Sequence, residues 1–257
     1  MLPYLDLGSL HLSVWALGIN LGWIAAFLLG LYNAPLRAYP RWTIVILLPW
    51  IVLGAFAGAH AFYLLVASPT PFSQLTAREV LNIFSGTAIQ GAILGMLAVV
   101  AVGSRLARIS PLKALDLGAP SFALFQVFNR VGCFGAGCCW GRPAPSWLGL
   151  TMTHPASAAP VGIPLYPTQV FDGTLCLVLA GLLHRRLRVA GRPDGELVLL
   201  YVLGYALIRF VVQFFRYDFI PRPPLGLSAY HYMALAMASA AGAALWAVRS
   251  NAVRRPS

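Results

Sequence analysis

The sequence predicts an all-α integral membrane protein of about seven transmembrane helices, with its N-terminus outside and its C-terminus in the cytoplasm. Three observations carry that expectation. The 257 residues are 59% hydrophobic and only 10% charged, with a mean hydropathy of +0.76, whereas about a quarter of the residues of an ordinary soluble domain are charged. Apolar runs near the roughly 20 residues needed to cross the hydrocarbon core recur along the whole chain. Basic residues gather in alternate connections, the pattern of cytoplasmic loops.

The runs fall at roughly 12–32, 44–66, 86–104, 116–134, 169–184, 196–216 and 227–248. The first is too long for a signal-peptide core and lacks a basic leader and a small-residue cleavage site, so it is expected to stay. The fourth is broken by polar residues and the fifth is short. Arg37 and Arg41 follow the first run; Arg105, Arg108 and Lys113 follow the third; Arg185, Arg186, Arg188 and Arg192 follow the fifth; Arg249, Arg254 and Arg255 follow the seventh. The other connections, 67–85, 135–168 and 217–226, carry few charges and are expected to face outward. With no internal repeat and no separate soluble segment, residues 1–257 are expected to form a single transmembrane domain with an outward-facing loop region at 135–168. Pro143, Pro145, Pro155, Pro160, Pro164 and Pro167 make that region a constrained loop rather than a helix.

The formal net charge of +11 raises nucleic acid as a partner, but no basic face is interleaved with aromatics and none is expected. The basic loops suit anionic membrane lipids instead.

Polar residues within the runs mark the candidate site. Tyr205, Arg209 and Gln213 follow at intervals of four and Arg216 lies seven beyond Arg209, which sets them on one helical stripe. Gln126 and Arg130 are four apart, with Asn129 beside them; Thr87 and Gln90 are three apart, and Gly91-xxx-Gly95 forms a close-packing face. Only Asp116 and Asp172 stand where they could neutralise Arg130 and Arg209, so the two arginines predict an anionic ligand, with a lipid phosphate the obvious one.

Arg130 to Arg142 reads Arg-Val-Gly-Cys-Phe-Gly-Ala-Gly-Cys-Cys-Trp-Gly-Arg and holds three of the four cysteines. The adjacent pair Cys138-Cys139, five residues after Cys133 and with no histidine at ligand spacing, is neither a zinc pattern nor a C-x-x-C redox site. No metal and no cofactor is expected. A disulfide from Cys133 to Cys138 or Cys139, and buried small thiols, are both open readings. Cys176 reads as core and His60 as a satisfied core histidine, while His154 and His231 in the outer segments are weak candidate bases.

Taken together, these segments resemble the bacterial prolipoprotein diacylglyceryl transferases. Their Arg-x-Gly-Asn-Phe-x-Asn-Gly-Glu-x-x-Gly is similar to Arg130 through Gly141, keeping Arg130, Gly132, Phe134, Gly137 and Gly141. Their His-Pro-Ser-Gln-Leu-Tyr-Glu is similar to Tyr166 through Asp172, keeping Pro167 and Gln169. Their Tyr-x-x-x-Arg-Phe-x-x-Glu-Phe-x-Arg is similar to Tyr205 through Arg216, keeping Tyr205, Arg209, Phe210, Phe214 and Arg216. The resemblance implies a multi-pass protein of the bacterial cytoplasmic (inner) membrane. Its implied reaction moves the diacylglyceryl group of phosphatidylglycerol, or a related anionic phospholipid, onto the lipobox cysteine of a prolipoprotein. Arg130 and Arg209 would clamp the phosphate, Tyr205 and Gln90 would orient the headgroup, and Gly132, Cys133, Gly137, Cys138, Gln169 and Arg216 would line the substrate site. The outer loop 142–168 would cover the site or receive the lipobox peptide. The chain departs from the family at Cys133, Ala136 and Cys138, at Ser13, and at Gln90, where the family places its histidine. A glutamine takes no proton from a thiol near neutral pH. A phospholipid- or prolipoprotein-binding paralogue without the base, and a membrane thiol oxidoreductase built on Cys133, Cys138 and Cys139, are the rival expectations.

Overall fold

The structure is a computed structural model that describes residues 2–8, 10–68, 75–77, 80, 89–221 and 225–254. Seven α-helices are among the described residues: α1 Val14–Asn33, α2 Arg41–Phe62, α3 Ile89–Leu106, α4 Pro111–Ala136, α5 Thr168–Leu187, α6 Glu196–Gln213 and α7 Ala229–Arg254. Each coincides with one of the apolar runs. Four helical segments are long and apolar enough to cross a membrane: Val14–Leu36, Arg41–Val66, Glu196–Gln213 and Ala229–Ala252. Their outward faces display Leu21, Ile24 and Leu28 on α1, Val45, Ile46, Trp50 and Leu53 on α2, and Leu207 and Val211 on α6. Stripes of that size are a poor surface for water and a natural one for hydrocarbon. The chain divides into two compact units, residues 31–115 and residues 1–30 with 116–257.

In the 31–115 unit, α2 lies on α3 across facing glycines. A Cβ on Gly58 would stand 2.9 Å from the Gly95 Cα, and one on Gly54 would stand 3.0 Å from the Gly95 carbonyl oxygen. Gly91-xxx-Gly95 is thus the contact face the spacing predicts, and its partner is Gly54-xxx-Gly58. His60 is buried, and its Nε2 donates to the Val80 carbonyl at 3.0 Å, the satisfied core histidine expected. Gly86, Thr87 and most of the 67–85 connection lie outside the described residues.

The larger unit begins with a hairpin that the apolar pattern did not reveal: β1 Tyr4–Leu7 pairs antiparallel with β2 Leu10–Ser13. Its last residue caps α1, the Ala16 N–H donating to Ser13 Oγ at 3.4 Å. α1 meets α4 where Gly18 and Gly132 touch, since a Cβ on Gly18 would fall 2.6 Å from the Gly132 Cα. An aromatic line continues through Trp23 and Phe125 (4.7 Å between centroids), Phe122 and Tyr201 (5.6 Å), and Tyr201 and Tyr205 (6.1 Å), joining α1, α4 and α6.

Asp116, fully buried, accepts the Gly195 and Val198 N–H groups at 2.9 and 3.0 Å and so caps α6 from α4. At the basic end, Glu196 is fully buried and receives Arg186 at 2.8 Å and Arg249 at 2.7 Å. The loop between α4 and α5 is ordered by its own small sheet, with β3 Leu150–Thr151 against β4 Pro164–Leu165, and by a core of Met152, Ala159 and Leu165 under Trp140.

Candidate active site

Arg130 lies six residues before the end of α4, where three helices converge. Its Nε stands 2.9 Å from Asp172 Oδ2 on α5, and its Nη2 reaches the Tyr205 hydroxyl on α6 at 3.5 Å. The Nε–H is not aimed at the carboxylate, so the contact is an ion pair rather than an aligned hydrogen bond. Asp172 is buried and also accepts the Cys176 Sγ, one turn on, at 3.4 Å. Arg130 is therefore compensated, which corrects the expectation of two poorly neutralised arginines. Its partner lies 42 positions along the chain and is delivered by the packing of α5 on α4.

Arg209 keeps the expected surplus. It sits one turn beyond Tyr205 with its guanidinium 4.9 Å from the Tyr230 ring centroid on α7, and among the described residues it forms no ion pair. The charges of Arg130, Arg216 and Asp218 all act on Arg209. Three cations against Asp172 and Asp218 leave one positive charge in excess, and it resides on Arg209.

The glycine-rich end of α4 closes as a Schellman turn. Gly137, at φ +72°, donates to the Phe134 carbonyl at 3.2 Å, and Cys138 donates to the Cys133 carbonyl at 3.0 Å. The turn is then fastened from α5 and from the segment after α6. Gln169 Nε2 donates to the Cys138 carbonyl at 2.7 Å, Thr168 Oγ1 to the Cys139 carbonyl at 2.8 Å, and Arg216 Nη1 to that same carbonyl at 3.4 Å. Arg216 spends its Nε and Nη2 on the two oxygens of Asp218, each at 3.0 Å, while Gln213 donates to Asp218 as well. Burial alone would raise the Asp218 carboxyl, but these bonds and the Arg216 charge hold it below the usual carboxylate range.

No disulfide forms: Cys133, Cys138, Cys139 and Cys176 are all free. The disulfide reading of the sequence is thus not realised. Instead the Sγ atoms of Cys133, Cys138 and Cys139 gather within 4.8 Å of one another. Cys139 lies in the positive field of Arg130 and Arg216.

Of the residues singled out in sequence, Arg130, Tyr205, Arg209, Cys133, Gly137, Cys138, Gln169 and Arg216 come together around the end of α4. Gly132 faces α1, so its visible task is helix contact. Gln90 is the second residue of α3, in the 31–115 unit, and its side chain lies outside the described residues. His231 is fully buried among Phe210, Phe214 and Phe219, its ring centroid 4.9, 4.2 and 5.6 Å from theirs, with Nδ1 at 2.9 Å from Ser228 Oγ. His154 accepts the Ala156 N–H at 3.1 Å within its loop. Sequence reasoning missed Thr168 and Asp218, and it gave Cys139 only a disulfide or redox reading. Only Asp218 left a signal, a lone carboxylate two residues after Arg216.

Apolar helices with lipid-suited faces around an arginine cluster define a helical membrane protein. The chain belongs to the prolipoprotein diacylglyceryl transferase family, whose sequence profile matches residues 3–248. It is 34% identical over 221 residues to the phosphatidylglycerol–prolipoprotein diacylglyceryl transferase 2 of Clostridium perfringens, covering 84% of this chain and 83% of that one. It is 33% identical over 214 residues to the Clostridium tetani phosphatidylglycerol–prolipoprotein diacylglyceryl transferase, covering 83% and 84%. The enzyme of that name from Methylibium petroleiphilum is 30% identical over 258 residues, covering 94% and 93%.

Proposed function

We propose that this protein transfers the diacylglyceryl group of phosphatidylglycerol to the lipobox cysteine of a prolipoprotein, in the bacterial cytoplasmic membrane. The observation that carries the reading is the convergence of Arg130, Tyr205 and Arg209, in a member of this family, with a surplus cation at Arg209. Arg130 is held by Asp172 from its Nε side, which leaves its outer nitrogens for a phosphate. The acceptor thiolate attacks the glycerol carbon that bears the phosphate ester. The carbon–oxygen bond breaks, and its electron pair leaves on glycerol phosphate. Arg130 and Arg209 stabilise the charge that grows on that departing oxygen, and Tyr205 fixes Arg130 in place. Gly137, Cys138 and Gln169 line the mouth, and the loop over 142–168 receives the lipobox peptide.

Seven spans with the N-terminus outside and the C-terminus in the cytoplasm are part of the proposal. The seven helices and the alternation of basic connections support it. Purified full-length protein given phosphatidylglycerol vesicles and a lipobox peptide is expected to yield a thioether-linked diacylglyceryl peptide and glycerol phosphate. Arg130→Ala and Arg209→Ala are each expected to abolish the product, and sustained turnover in both overturns the assignment.

A further inference from the structure

Three thiols whose sequence spacing does not suggest a metal are brought to one point by the backbone. Adjacent side chains ordinarily diverge, but Cys139 stands at φ +59°, a left-handed conformation uncommon for anything but Gly, Asn or Asp. Its reversal, two residues after the left-handed Gly137, turns Cys138 and Cys139 back over Cys133 on the last turns of α4. Residues held in such backbone conformations cluster at functional sites, where the surroundings enforce them. Here the enforcement is visible: the carbonyls of Cys138 and Cys139 are gripped by Gln169, Thr168 and Arg216.

We propose that Cys133, Cys138 and Cys139 form a three-thiolate site for a zinc ion, whose fourth position takes the thiol of the acceptor cysteine and holds it as the thiolate. The second half of that statement rests on the transferase reading above; the first does not.

The geometry and the charge both fit. Sulfur ligands at about 2.3 Å from a tetrahedral zinc stand about 3.8 Å apart, and these three lie within 4.8 Å of one another before any rotamer adjusts. Cys133 is buried, whereas Cys138 and Cys139 are half-buried, so one side of the cluster stays open. Zinc with three thiolates carries one net negative charge, and Arg130 and Arg216 are both within electrostatic reach of Cys139. Three protein ligands and an open fourth position is the arrangement of catalytic rather than structural zinc. A thiol that coordinates such an ion is deprotonated outright, which meets the need of an alkylation that only a thiolate performs.

The step balances without redox change. The acceptor thiol displaces zinc-bound water and its proton passes to solvent. A sulfur lone pair then forms the bond to the glycerol carbon as the carbon–oxygen bond breaks, the pair leaving with glycerol phosphate. The thioether formed is neutral and a weaker ligand, so water recovers the position.

The full chain, reduced, stripped with chelator and washed, is titrated with zinc and separately with cobalt. One metal per chain is expected, with intense thiolate-to-cobalt charge-transfer absorption, at least tenfold weaker binding in Cys133→Ser, Cys138→Ser and Cys139→Gly, and unchanged stoichiometry in Cys176→Ser. Cys139→Gly tolerates the left-handed backbone, so its loss of metal reports the ligand and not the fold. A lipobox peptide is expected to intensify the cobalt–thiolate absorption, and its cysteine-to-serine counterpart to leave it unchanged. Absence of stoichiometric metal, or a disulfide from Cys133 to Cys138 or Cys139 in the isolated protein, overturns the site. Full lipidation by metal-free protein overturns thiol activation and leaves the transferase reading standing. Metal and peptide binding without any lipidation overturns the transferase reading and leaves the metal site standing.

Discussion

Arg130 and Asp172 meet at 2.9 Å between α4 and α5, and the pair sets which way the arginine faces. An unpaired arginine within a membrane helix is costly, the more so the nearer it lies to the centre of the bilayer. The carboxylate removes much of that cost while leaving the Nη atoms toward Tyr205. The site thus keeps a charged clamp in a low-dielectric setting without exposing it to lipid.

Replacing the clamp by a simple cation separates charge from shape. Lysine at position 130 retains the positive charge but cannot meet Asp172, Tyr205 and a phosphate together. Arg130→Lys is expected to lower kcat by about 10²-fold, the usual scale for one electrostatic donor. Steady-state lipidation of the peptide measures it, and near-normal kcat would remove Arg130 from the mechanism.

Tyr205 contributes a hydroxyl and a ring. Tyr205→Phe keeps the ring near Tyr201 and deletes only the 3.5 Å contact to Arg130. The expected loss is about 1–1.5 kcal/mol, or about tenfold in kcat/KM, with thermal stability little changed. A large fall in Tm with intact activity in the surviving fraction would assign Tyr205 to packing instead.

The glycine seam between α2 and α3 makes a sharp contrast with glycines elsewhere. Gly58→Ala and Gly95→Ala place a methyl against backbone at under 3.0 Å and are expected to destabilise by about 1–3 kcal/mol each, as overpacking does. Gly181 in α5 has nothing within 4 Å of an added Cβ, so Gly181→Ala is expected to be neutral or stabilising by up to about 1 kcal/mol. Unfolding in detergent ranks the three, and equal Tm values would show that the seam is loose.

Asp218 gives the acid limb of stability a sign. Its carboxyl is held below the usual range in the folded protein by Arg216 and Gln213. The stabilisation is therefore fully present above the ordinary Asp pKa of about 3.9 and is lost as pH falls through the depressed folded value. Asp218→Asn is expected to flatten the fall of Tm as pH drops below about 4. Parallel curves for the two proteins would exclude the pair as a source of acid sensitivity.

The seven helices were legible because apolar length and basic connections are local properties, and Gly91-xxx-Gly95 announced a contact face in the same way. The partner seam, Gly54-xxx-Gly58, was not, because a contact face does not name what it touches. Arg130, Tyr205 and Arg209 stood out as polar residues in apolar runs, yet the Arg130–Asp172 pair depended on how two helices pack 42 residues apart in sequence. The thiol cluster was hidden more deeply. It depends on one backbone angle at Cys139, which the string Cys-Cys does not encode, and on anchors from Thr168, Gln169 and Arg216. The β1–β2 hairpin escaped notice because four-residue strands carry too little pattern to stand against an adjoining apolar helix.

Glu196, sealed between Arg186 and Arg249, has a bearing on how the chain is threaded. Arg186 stands in the last turn of α5, Glu196 opens α6 and Arg249 lies near the end of α7, so α7 delivers its arginine only if it runs in the sense observed. A copy with α7 inverted would carry Arg249 to the opposite end of the helix, leaving the sealed carboxylate with Arg186 alone. The ion triad thereby ties the direction of the last helix to those of α5 and α6.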